Sequence, residues 1–367
     1  MVYISAFTFL CVCMVSFFIF NQVYIKTATM AAVMALGIII KGVLLNYFDS
    51  KLLHGTYGDI LSLTVLALWV SFCFSFVLVL LNGKFREIHY NNPINRFGIG
   101  TWVAGTSICW ILMYEHFIEL ALFVKIISYV NILFWSIYIG ICIKSFIPIS
   151  KAPLNEKVHG ILLLPTVSTQ SIVILLNTIY QDIPVFFNNF LILTGGGLYL
   201  ISLCLIIKRY CTKFDSWSIE KDWNNTNCIL HGALSITGLA CIISQSASEQ
   251  IIVTIWTSAM GIFLIVESIE FYRAFKRIRH YGWRKGIFVY DVSQWSRIFT
   301  FGMFYTFTFM FTPTSTLITA IRKGVILYGI WIILILAIAE LLLCVTSFIR
   351  SNHLNKPTDA KTEKLQI

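Results

Sequence analysis

Apolar residues fill this chain in blocks of about twenty separated by short polar connections, with neither the two-residue alternation of half-buried strands nor the single stripe of surface helices. Blocks with few charges fall near 2–21, 27–46, 58–82, 97–114, 118–143, 158–180, 187–207, 226–245, 250–272, 295–312 and 325–349. Eighteen residues in a helix reach about 27 Å, close to the hydrocarbon thickness of a bilayer. The pattern therefore predicts an all-α integral membrane protein of eleven crossing helices, with no polar stretch long enough to fold as a second domain.

The blocks differ in texture. Small and polar residues recur in every second one: AAVMALGIIIKG at 31–42, FGIGTWVAGTS at 97–107, HGILLLPTVSTQS at 159–171, HGALSITG at 231–238 and FTFGMFYTFT at 299–308. The blocks between them are nearly pure Leu, Ile, Phe and Val. That alternation predicts five helical hairpins over residues 27–350, ten core helices whose first members form an inner ring around a pore. Residues 1–22 make an extra N-terminal helix, and 351–367 a polar tail. Pore-lining candidates are Gly37, Gly100, Pro165, Thr166, Gln170, Ser235 and Gly302, with Pro165 expected to kink its span and free carbonyls for its polar neighbours. The triplet Gly195, Gly196, Gly197 lacks the GK[ST] ending of a phosphate loop and reads as close packing or a bend.

Charge gives the orientation. A net +10 would suggest nucleic acid in a soluble protein, but sixteen of the 27 Lys and Arg sit in four connections. These hold Lys84, Arg86 and Arg96; Lys144, Lys151 and Lys157; Lys208, Arg209, Lys213 and Lys221; and Arg273, Lys276, Arg277, Arg279, Arg284 and Lys285. The alternate connections carry only Lys51, Arg322 and Lys323. By the positive-inside bias the rich connections and the tail are cytoplasmic, which disfavours nucleic acid as a partner and leaves the lipid bilayer. The first block has no basic residue before it and no small-residue cleavage signature after it, so it reads as a retained helix rather than a signal peptide. Short loops point to a bacterial plasma membrane. The ten cysteines include no CxxC, and GxSxG, HExxH and Walker motifs are lacking, so the expectation is no metal, no cofactor and no enzyme.

The ordered set AAVMALGI at 31–38, NPINR at 92–96, LLPTVSTQS at 163–171, HGALSITGL at 231–239 and WSRIFTFGM at 295–303 resembles the tellurite-resistance/dicarboxylate transporter family. That family includes TehA-like channels, fungal malate permeases and plant slow-type anion channels. The resemblance covers about 27–350 and implies a ten-helix protomer around its own pore, assembled as a homotrimer. In channel members a phenylalanine of the ninth core helix plugs the pore; matched through FTFG, it falls on Phe301. The permease-like branch carries a Phe-Pro-Leu-Gly-Met pattern there, and this chain keeps its Gly302 and Met303.

Charged residues near the spans are the remaining candidates. Arg297, one turn before Phe301, would attract anions at a pore mouth unless Glu267 or Glu270 neutralises it. Lys41 must face water or pair with an acid, with Glu340 as nominee, and His231 or His159 could relay a proton. A dicarboxylate site would need converging cations, of which the spans offer few, so Thr, Ser, Gln and aromatic rings suit weakly selective passage of small anions. Three readings follow: a phenylalanine-gated anion channel, a proton-coupled malate, dicarboxylate or tellurite transporter with His231, Lys41 or Arg297 in its cycle, and a non-transporting sensor or scaffold.

Overall fold

A chain crossing hydrocarbon must satisfy its own backbone hydrogen bonds, and a helix does so within one segment. The structure, a computed structural model, describes residues 2–20, 24–48, 54–151, 153–212 and 218–354. The expected tail lies outside the described residues from 355 onward, as do Lys51 and Lys213. Its long elements are all helices: α1 (Val2–Phe20), α2 (Thr27–Phe48), α3 (Thr56–Leu81), α4 (Asn95–His116), α5 (Ile118–Ile149), α6 (Gly160–Ile179), α7 (Val185–Thr212), α8 (Asn225–Ile243), α9 (Glu249–Gly286), α10 (Gln294–Met310) and α11 (Thr316–Leu354).

Burial alternates along the chain. In α2, α4, α6 and α8 between 72% and 89% of the most apolar stretch is buried, against 17% to 44% in α3, α5, α7, α9 and α11. At 17 residues α10 is short for a bilayer span, but it is buried along nearly its whole length and meets little lipid. Each even-numbered helix from α2 to α10 packs on the next, and α10 returns to α2, which closes a ring of five. Each also packs on the helix that follows it, so the outer ring consists of the returning arms. Outside both rings, α1 packs on α3, with Phe17 4.7 Å from Phe348 of α11 and Phe18 6.3 Å from Phe72.

Two local features position the interior. Four inner helices open with a tight 3-10 turn: Thr27–Met30, Asn95–Ile99, Gly160–Leu163 and Asn225–Cys228. Pro165 sits just after one of them, at the start of the α-helical stretch Leu164–Ile179, where a missing N–H costs little. It marks a helix start, and the expected mid-span kink is not there. The second feature is a π-helical stretch, Ile39–Leu44, which carries Lys41.

Candidate functional site

The ring encloses two cavities. The first, of about 520 Å³, opens on the face that carries the basic connections. All five inner helices begin around it, contributing Thr27, Asn95, Ile161, Thr226 and Ser296. The backbone N–H groups of a first helical turn have no intrahelical partner and give a helix start a partial positive charge, so five starts around one vestibule favour an anion. Exposed Lys26 and Lys221 stand on its walls with Glu87 and Asp291, and buried Arg273 lies behind them.

Polar side chains fix these helix starts to one another. Asn227 Oδ1 accepts from the Gly160 N–H at 2.9 Å, and Asn225 Nδ2 donates to Ser293 Oγ at 2.9 Å. His159 Nδ1 lies 2.7 Å from Thr226 Oγ1 and accepts from the Ile161 N–H at 3.4 Å. Burial, reinforced by the Arg209 guanidinium, lowers the His159 pKa to about 4, so the ring is neutral near pH 7. Arg209 itself donates to the carbonyls of Val158 and, at 3.0 Å, Asp222.

The second cavity, of about 230 Å³, lies toward the far face and takes lining residues from all five inner helices. From α10 these are Phe299, Met303, Thr306 and Met310, one stripe of a helix. Ser296 of the vestibule is one turn before buried Phe299 of the second cavity, so the two spaces follow one another along the same face of α10. Phe301, two residues on, is turned about 200° away on a helix of 100° per residue. Its ring packs 5.0 Å from Phe263 of α9 and 6.1 Å from His231, and it lines neither cavity.

Most other sequence candidates also face neighbouring helices. Gly37 meets Ile108 and Gly302 meets Ile38, where a Cβ on either would come within 2.7 Å of the neighbour's side chain, so both serve close helix packing. Gly100 likewise packs against Tyr138 and Leu164. Thr166 Oγ1 donates to the Gly195 carbonyl at 3.0 Å and Gln170 Nε2 to that of Ile192 at 3.2 Å, both on outer helix α7. Ser235 donates to the His231 carbonyl at 2.8 Å, and it lines neither cavity; nor does buried Pro165. Of the glycine triplet only Gly195 has a close neighbour, Gln170.

The ionisable candidates divide. Arg297 points to α9, 2.6 Å from Glu270 and 3.9 Å from Glu267, and Arg273 joins the cluster 2.9 Å from Glu270. Two arginines and two glutamates balance, so Arg297 presents no free charge to either cavity. His231 is fully buried beside Phe263, and neither ring nitrogen has a hydrogen-bond partner among the described residues. Lys41 does line the second cavity, and its partner is Glu115 at 2.5 Å. Glu340, nominated for that role, lies instead beside Asp291 toward the basic face. Sequence reasoning missed Phe299 and Glu115. Phe299 is the first residue of the permease-like Phe-Pro-Leu-Gly-Met register, but that pattern does not say which of Phe299 and Phe301 faces the inside of the ring.

Residues 24–345 match the profile of the family described as voltage-dependent anion channel, SLAC1. No curated protein matches the chain.

Proposed function

Since the chain belongs to the voltage-dependent anion channel family, a family of anion channels and transporters, we propose that it is a channel passing small anions down their gradient through the inner ring. The path runs from the vestibule, past Phe299, into the second cavity. The observation that supports this reading is that Phe299 lines the second cavity one helical turn beyond Ser296 of the vestibule, with both cavities lined by all five inner helices. A ring that must move before an ion passes acts as a hydrophobic gate. On this reading the basic face is cytoplasmic and the protein is a homotrimer of plasma-membrane protomers, each with its own pore.

A channel is favoured over a proton-coupled carrier because two of the three coupling candidates, His231 and Arg297, lie off the path, and the third, Lys41, is paired with Glu115. His231 faces Phe263 of α9, and Arg297 is held by Glu267 and Glu270. The test is anion current in planar bilayers. Phe299→Ala should enlarge a small wild-type current at least about ten-fold, the scale of removing a barrier of ~1.4 kcal/mol, while Phe301→Ala leaves it near wild type. The reverse ranking would return the gate to Phe301. Silence in all three proteins, with pH-driven malate uptake into liposomes, would sink the channel.

A further inference from the structure

Among the described residues lining the far cavity only Lys41 and Glu115 are charged. They come from neighbouring inner helices, α2 and α4, and their side chains are 38% and 27% exposed. The pair is thus reachable from the cavity. Lys41 sits in the π-helical stretch Ile39–Leu44, a backbone irregularity that recurs at functional sites.

The remaining polar lining is neutral, and most of it is already bonded: Ser107 Oγ donates to the Val103 carbonyl at 3.0 Å, and Asn46 Nδ2 donates to that of Gly42 at 2.8 Å with one N–H to spare. Thr178 donates to Ile174, Thr306 to Gly302 and Ser171 to Ser168, each to a carbonyl of its own helix. The walls are otherwise apolar, as at Ile108, Ile236 and Leu239. The Lys41 ammonium carries three donors and spends one on Glu115. It is therefore the strongest anion-binding group in the cavity, and it already holds a carboxylate.

We propose that Lys41 is an anion-binding site occupied by Glu115 as a tethered ligand, and that small monocarboxylates bind there by displacing the Glu115 carboxylate. A displaced Glu115 remains near enough to solvent to hydrate. Monocarboxylates are selected because the described lining holds one cation: a second carboxylate on the ligand would face apolar wall or Glu115, with no partner for its charge among those residues. An apolar body on the ligand fits the isoleucine and leucine walls. Transport through the site rests on the reading of the inner ring as an anion path.

The test is equilibrium binding to the detergent-purified full chain, read as thermal stabilisation by acetate, propionate or succinate at fixed ionic strength. Glu115→Gln removes the tethered competitor and should lower half-saturating acetate about ten-fold, since a tethered group acts at an effective concentration of the order of millimolar or more. Lys41→Gln should abolish acetate stabilisation, and the swap Lys41→Glu with Glu115→Lys should restore it. The swap also serves if Lys41→Gln fails to fold. Unchanged acetate binding in Glu115→Gln, or succinate stabilising wild type as well as acetate does, overturns the proposal. Current through Phe299→Ala separates the two readings. Binding without current in wild type, Phe299→Ala and Phe301→Ala overturns the channel and leaves the site, whereas current without acetate binding overturns the site and leaves the channel.

Discussion

At the scale of single residues, the direction a side chain faces decides its role, and in a membrane helix sequence shows direction poorly. A helix apolar on every side has no stripe to orient it, so Phe299 and Phe301 are equivalent in sequence and differ only after α10 is packed. Arg297 shows the same effect: its spacing to Phe301 was legible, but its turn toward Glu267 and Glu270 was not. Because those carboxylates are buried, Arg297→Gln should lower stability by about 3–5 kcal/mol through the unpaired charge left behind. Thermal unfolding checks the loss, and reversal potentials should show anion selectivity unchanged. His89, on the segment between α3 and α4, gives a pH prediction. Fully buried beside Phe76 and Trp102, with Nδ1 3.0 Å from Thr27 Oγ1, it has its pKa lowered by burial to about 4. The folded state holds the neutral ring while the unfolded chain protonates near pH 6.5, so this stability is present above about 6.5 and is lost as pH falls toward 4. At pH 5 the loss is about 2 kcal/mol, and His89→Phe should lose that much less than wild type when unfolding at pH 7 and pH 5 is compared.

At the scale of elements much more was legible. The length of each apolar block set the helices, and the alternation of small-residue and bulky blocks anticipated which helices are buried, because close backbone approach needs residues without bulk. The helix starts were less visible: sequence marked Pro165 as a kink, and the 3-10 turn before it shows only once Gly160–Leu163 docks on the start of α8. That docking depends on Gly160, where a Cβ would collide with the backbone of Thr226 and Asn227. Backbone cannot swing aside as a side chain can, so Gly160→Ala should cost about 1–3 kcal/mol and shift the vestibule. Gly196→Ala, with nothing within 4 Å of its Cβ, should leave the thermal midpoint nearly unchanged. Equal effects of the two substitutions in parallel unfolding measurements would sink the close backbone contact between α6 and α8.

At the scale of the whole molecule, the distribution of Lys and Arg and the direction of the inner helices give the same polarity. Each inner helix starts on the basic face, so five partial positive charges and the exposed Lys26 and Lys221 surround one opening. Closure of the ring needed the structure, because contact between α10 and α2 joins residues about as far apart in sequence as the core allows, and no local pattern encodes it. The two lysines act on ions through solvent, so their effect must depend on salt. The Debye length is about 10 Å at 0.1 M and about 3 Å at 1 M. Lys26→Gln with Lys221→Gln should therefore reduce anion current entering from the basic face about two- to three-fold at low ionic strength, with little change in the opposite direction. At 1 M salt the variant and wild type should carry equal current per channel, because screening removes what the substitutions remove. A deficit that persists at 1 M would mean that the lysines touch the permeating ion, and the vestibule would then be a binding station as well as an electrostatic funnel.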